Sequence, residues 1–150
     1  MPVDIFDNIG LTDWMTGAIN NELHALSCLV VEDNAFTSID ICNKLSALGI
    51  NQIMTASNGQ QGLEIIDAME TPPAVILLDL RMPVMGGTET LSRLSDRKYS
   101  GHVIIISGVD DDTLSAVEKY AHDSNVNLTG CLSKPADEQV MSNFLSKCID

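Results

Sequence analysis

Ala74-Val75-Ile76-Leu77-Leu78-Asp79 is the stretch on which the fold of this chain turns. Five consecutive apolar residues leave no position for a solvent-facing side chain, as expected of a strand covered on both faces. Pro72-Pro73 precedes the run and stops any earlier helix, and a carboxylate ends it. Shorter runs repeat the plan on either side. Cys28-Leu29-Val30-Val31 leads into Glu32-Asp33, Val103-Ile104-Ile105-Ile106 into Ser107, and a strand over 126–132 into Ser133-Lys134-Pro135. A stretch over 50–56 completes five predicted strands and ends on Ala56-Ser57-Asn58, which carries no obvious chemistry. Helical periods fill the gaps. Over 35–48, Ile39, Cys42, Leu45 and Leu48 recur at steps of three, and Gly49 closes the helix. Over 60–69, Leu63, Ile66 and Ala68 are expected to point inward; further helices are expected over 85–94, 110–123 and 137–149.

Five βα units in sequence call for a parallel sheet with helices on both faces, because parallel neighbours need crossover connections and those are right-handed. Ligands of such sheets bind outside the carboxyl ends of the strands. Those ends place Glu32, Asp33, Asp79, Ser107 and Lys134 as candidates. Carboxylates gathered at one edge repel one another and call for a cation. An all-oxygen, hard donor set suits Mg²⁺ or Mn²⁺. With a lysine and a hydroxyl beside one carboxylate, the group would trap a phosphoryl moiety: charge is neutralised on two sides of a nucleophile.

Composition narrows the partners. The chain has 150 residues, 45% hydrophobic and 19% charged, a globular balance sized for one domain with a short appendage. Eight basic against 21 acidic residues give a formal charge of −13. Such a surface repels phosphate backbones and anionic lipid heads, so neither nucleic acid nor membrane is expected as a partner. The first basic residue is Lys44, so the N-terminus lacks the positive region of a secretory signal. Cys28, Cys42, Cys131 and Cys148 are scattered without a C-x-x-C pair, and His24, His102 and His122 lie far apart; reduced packing cysteines in a cytoplasmic protein are expected. Residues 1–26 read as an N-terminal arm, either loosely held or forming a short helix that carries Trp14, Met15, Ala18, Ile19 and Leu23 and packs on the domain or mediates a homodimer. The domain proper is expected over 27–150. Asp110-Asp111-Asp112 is expected to cap a helix and not to bind a metal.

Leu29-Val30-Val31-Glu32-Asp33-Asn34, Leu77-Leu78-Asp79-Leu80-Arg81-Met82-Pro83-Val84-Met85-Gly86-Gly87, Ile106-Ser107-Gly108 and Leu132-Ser133-Lys134-Pro135 together resemble the receiver domain of two-component response regulators, of bacterial type. The resemblance spans about residues 27–149. It implies an α/β, flavodoxin-like (βα)5 fold with strand order 2-1-3-4-5. It further implies that Asp79 accepts a phosphoryl group from a phosphohistidine of a sensor histidine kinase or phosphotransfer protein. In this resemblance Glu32, Asp33, Asp79 and the backbone carbonyl of Arg81 hold Mg²⁺, Lys134 contacts a phosphoryl oxygen, and Ser107 moves toward the phosphoryl group. Pro135 matches a cis-proline position, and Gly87 a structural glycine. The signal would pass by protein–protein contact to a downstream effector, through the face of the fourth helix, fifth strand and fifth helix, with no turnover of an external substrate.

Departures from the family are as informative. The aromatic residue commonly found three positions before the lysine is replaced by Cys131, which cannot fill or vacate a pocket as a ring does. Ser107 and Lys134 are 27 positions apart, roughly one helical turn more than in minimal receivers, with the surplus expected between 110 and 128. Ala116-Val117-Glu118-Lys119-Tyr120-Ala121 and Val126-Asn127-Leu128-Thr129-Gly130 resemble receivers that precede EAL-type cyclic-di-GMP phosphodiesterase domains. Val109 and Arg81 would flank attacking water and tune dephosphorylation. A haloacid-dehalogenase-type phosphatase would need a second acid where Arg81 stands, and no G-x-G-x-x-G follows a strand. The competing reading is a pseudo-receiver, the same fold serving as a docking module without phosphorylation.

Overall fold

The computed structural model describes residues 23–108 and 110–149. Five strands and five helices alternate: β1 Ser27–Val31, α1 Ala35–Ala47, β2 Gln52–Ala56, α2 Gly59–Ala68, β3 Val75–Asp79, α3 Gly87–Asp96, β4 His102–Ser107, α4 Asp111–Asp123, β5 Asn127–Ser133 and α5 Glu138–Ser146. All strand pairs are parallel, in the order β2-β1-β3-β4-β5. No helix among the described residues is long and apolar enough to cross a membrane.

Strand alternation sends neighbouring residues to opposite faces, and each face has its own core. Cys28, Val30, Val75, Leu77, Ile104 and Ile106 pack with α1 and α5, whereas Leu29, Val31, Ile76, Leu78, Val103 and Ile105 pack with α2, α3 and α4. Burial of each large aliphatic side chain contributes about 1.5–3 kcal/mol. Helix starts are specified locally. Asn34, Asn58, Asp110 and Asp137 each accept the backbone N–H three residues on, at 2.8–3.0 Å. Asp110 therefore caps α4, as its sequence position suggests, and Asn58 caps α2 at the strand end that looked chemically silent.

Several expectations need correcting. The buried face of α1 is Ile41 and Leu45, while Ile39 is 58% exposed and Cys42 and Leu48 are half-buried. A step of three drifts around a helix of 3.6 residues per turn, so the expected stripe starts on the wrong side. Ala68, at the frayed end of α2, is exposed. The third helix begins at Gly87, two residues later than expected, because Pro83 to Met85 form a tight turn closed by the Met85 N–H on the Pro83 carbonyl. Val84, at the centre of that turn, has φ 69°, a costly conformation for a β-branched residue. The pairing of β4 with β5 carries an irregularity. Val103 pairs with Leu128 and Ile104 with Gly130, which leaves Thr129 as a bulge whose hydroxyl meets His102 Nδ1 at 2.8 Å.

Of the proposed arm, Leu23 and Leu26 are buried in the core between α1 and α5. The rest of it, Trp14 included, lies outside the described residues, as does Val109.

Candidate functional site

Sheet register assembles the site. Val31 pairs with Leu78, so Glu32 and Asp79, the next residues of β1 and β3, come out side by side. Asp79 pairs with Ile106, which brings Ser107 one step beyond, and Ser107 pairs with Ser133, which delivers Lys134. Residues from four chain segments thus meet at one edge without any loop having to reach for them. The Lys134 N–H donates to the Ser107 carbonyl at 3.1 Å and continues the ladder to the last residue that matters. The Lys134–Pro135 peptide bond is cis.

Gly87 permits the close approach behind Asp79. A Cβ there would lie 2.8 Å from the Asp79 carbonyl oxygen and 2.8 Å from Leu80 Cα. The start of α3 therefore rests directly on the chain leaving β3, with the Gly87 N–H on the Leu80 carbonyl at 3.0 Å.

The cleft has a volume of about 330 Å³, with Glu32, Asp33, Asp79, Arg81, Ser107 and Lys134 in its wall. Lys134 Nζ donates to Glu32 Oε1 at 2.9 Å and lies 3.2 Å from Asp79 Oδ2. The Arg81 N–H approaches Asp79 Oδ1 at 3.4 Å. Glu32, Asp79 and Ser107 are buried, whereas Asp33 is exposed at the mouth. One ligand oxygen from each of Glu32, Asp33 and Asp79 can be chosen so that all lie within 4.8 Å of one another. Beside them runs a larger, more apolar groove of about 460 Å³ with Ile39, Cys42 and Thr55 in its wall; it shares Glu32 and Asp33 but neither Asp79 nor Lys134.

Charge at this edge is incompletely balanced. Burial pushes Glu32 up to about 7, the neighbouring Asp79 carboxylate adds to the shift, and the Lys134 ammonium opposes it. Burial pulls the Lys134 amine down, but its bond to Glu32 and the charge of Asp79 outweigh that, and the net shift is upward. Glu32 Oε2 is buried with no hydrogen-bond partner. An orphaned carboxylate oxygen beside two further carboxylates is a deficit of positive charge, and oxygen donors of this kind fit Mg²⁺. Asp79, Glu32, Asp33, Ser107 and Lys134 all converge. Arg81 contributes backbone at the rim, and its side chain is exposed.

Cys131 stands apart. It belongs to the core on the α3–α4 side, and its thiol lies 3.7 Å from Glu118 Oε1 on α4. Burial and then the Glu118 charge push it up to about 11, so it remains a thiol. Sequence reading passed over Asn34 and Thr37, which complete the cleft wall, and Phe36, which is 84% exposed on α1. Asn is a favoured cap residue ahead of a helical period, which locates the first; nothing in the sequence marks the other two.

A family model for the response regulator receiver domain matches residues 28–146. The nitrate/nitrite response regulator protein NarL of Escherichia coli (strain K12) is 33% identical over 96 residues, which cover 62% of this chain and 44% of that protein. A protein-glutamate methylesterase/protein-glutamine glutaminase of Bacillus subtilis (strain 168) is 36% identical over 110 residues, covering 70% of this chain and 30% of that protein. The chain spans less than half the length of either relative. The CheX–CheY–BeF3–Mg²⁺ complex from Borrelia burgdorferi contains a chain of the same fold, with TM-score 0.71, 23% identity and coverage of 81% of this chain and 87% of that one. A response regulator from Colwellia psychrerythraea aligns with TM-score 0.69 and 23% identity over 82% of this chain and 96% of that one.

Proposed function

The chain belongs to the response regulator receiver domain family, and on that premise we propose that it is a phosphoacceptor that carries a phosphoryl group on Asp79 and signals by protein contact. The observation that carries the reading is the register-built cluster in which the Lys134 ammonium stands between the Glu32 and Asp79 carboxylates, with one buried carboxylate oxygen left unpartnered. Glu32, Asp33 and Asp79, with the Arg81 carbonyl, would hold Mg²⁺. Bound there, the ion supplies positive charge opposite the phosphoryl oxygens.

An Asp79 carboxylate oxygen attacks phosphorus of a phosphohistidine, the new P–O bond forms as the P–N bond breaks, and the imidazole leaves neutral by taking one proton from solvent. Lys134, already 3.2 Å from Asp79, binds a phosphoryl oxygen on the opposite side and offsets the charge that Asp79 gains. The Ser107 hydroxyl donates to another, a charge-assisted bond worth about 1.5–3 kcal/mol, enough to shift a two-state loop. The donor is a sensor histidine kinase or phosphotransfer protein. The signal leaves through α4, β5 and α5, since Ser107 leads into α4 and Lys134 into α5. With Cys131 where a ring usually stands, that output does not use an aromatic swing. No external substrate is turned over, and the reading includes a cytoplasmic location.

Incubation with acetyl phosphate and Mg²⁺, followed by intact mass measurement, tests this. Wild type should gain one phosphoryl group and Asp79→Asn none. No gain, or an equal gain in both proteins, would leave a docking module without phosphoryl chemistry at Asp79.

A further inference from the structure

Lys44 lies outside the cleft, eleven positions after Asp33, yet its ammonium reaches the connection between β5 and α5. Nζ donates to the Ala136 carbonyl at 2.6 Å and to Asp40 Oδ2 at 2.8 Å. Asp40, one turn earlier on α1, aims the lysine. Ala136 is buried and lies two residues past Lys134, in the short connection between β5 and α5. That connection is secured at one end by the Lys134 N–H on Ser107 and at the other by Asp137, which caps α5. The Lys44 bond fastens the segment between them. It ties the helix that follows Glu32 and Asp33 to the loop that presents the opposing amine.

From this geometry we propose that Lys44 is a positioning residue, which holds the β5–α5 connection against α1 and thereby sets Lys134 against Glu32 and Asp79. The inference rests on the phosphoacceptor reading for its consequence in catalysis, but the tether itself does not. A charged donor on a backbone carbonyl is stronger than a neutral one and strongly directional. Lys134 has a flexible four-carbon stem, so its placement depends on where its backbone is held. Without Lys44, the two carboxylates would still attract the amine, but from a loop free to shift by a fraction of an ångström or more.

Two readouts separate tether from chemistry. The first is the rate at which limiting acetic anhydride acetylates Lys134, measured by peptide mass relative to exposed Lys98 and Lys147. The second is phosphoryl labelling by acetyl phosphate with Mg²⁺. In Lys44→Met, Lys134 should acetylate about threefold faster and labelling should slow about fivefold, the low end of what misplaced groups cost. In a Lys134→Ala background, Lys44→Met should slow labelling less than about twofold further, because both changes remove one function. Lys44→Arg, which keeps a charged donor, should restore most of both. Unchanged Lys134 acetylation in folded Lys44→Met, or the same loss in both backgrounds, overturns the proposal. Should Lys44→Met not fold, Asp40→Asn loosens the lysine in place; faster Lys134 acetylation supports the tether and an unchanged rate overturns it. A wild type that takes no label sinks the phosphoacceptor reading alone, and the acetylation rates still decide the role of Lys44.

Discussion

The two ends of the sheet handle polarity in opposite ways. At the amino end, polar groups are closed off locally. The Tyr99 hydroxyl donates to the Pro73 carbonyl at 2.6 Å, the Ala74 N–H to Ser27 Oγ at 3.0 Å, and His102 meets Thr129. Around them sit Leu23, Cys28, Ile50 and Val75, all at most 1% exposed. At the carboxyl end, three of the four buried polar or charged residues in the described chain, Glu32, Asp79 and Ser107, face one cleft. There one carboxylate oxygen has no partner, and among the described residues Lys134 alone forms ion pairs with Glu32 and Asp79. One sheet thus has an end whose polar groups are satisfied and an end where buried charge is left incompletely balanced, which is the place the proposed function assigns to a cation and an anion.

That contrast can be broken from either side. The largest stability effect should come from the amino end. Ile50→Ala opens a cavity in the α1–α5 core and should cost about 2–5 kcal/mol in urea unfolding, with Mg²⁺ affinity of the folded fraction unchanged. A comparable loss of Mg²⁺ binding would mean that the two ends are not separable.

Glu32→Gln probes the other end and should act in the opposite direction. The folded Glu32 titrates at about 7 against an ordinary value of 4.5, so between those values the unfolded chain releases the proton first. The stability contributed by protonated Glu32 is complete below the ordinary value and is lost as pH rises through about 7. Without Mg²⁺, wild type should lose on the order of 1–3 kcal/mol relative to Glu32→Gln between pH 4.5 and 7.5. Added Mg²⁺ should narrow the gap, while binding to Glu32→Gln itself weakens about tenfold or more. Parallel pH profiles for the two proteins would show that this carboxylate is not the uncompensated group.

The smallest effect should be that of Tyr99→Phe. It removes one satisfied hydrogen bond at the amino end and should cost about 1 kcal/mol in the same unfolding experiment, without touching acetyl phosphate labelling.

How far the sequence reached can be judged from particular residues. The strands were legible because a strand covered on both faces must be apolar throughout, and Ala74 to Leu78 admits little else. Asp79, Glu32, Asp33 and Lys134 were legible because strand ends in a parallel sheet share one edge, so the topology places them before any contact is known. The inward face of α1 was not legible. Ile39 and Ile41 are equally apolar, and only the way that helix rests on β1 and β2 decides which one is buried. The same limit hid the Lys44 bond to Ala136, which joins residues 92 positions apart. The bulge at Thr129 was equally hidden, being a property of how two strands pair and not of either alone.

By itself, then, the order of residues determined which groups stand at the edge of the sheet and which chemistry they suit. That follows from short-range rules, since two-residue alternation and the βα repeat act within one strand and the next. The folded chain alone decided that Glu32 would be buried with an oxygen unmet, that Lys134 would stand between two carboxylates, and that α1 would hold the loop behind it. Burial and charge pairing are sums over segments distant in sequence, and only their assembly sets the sign of each.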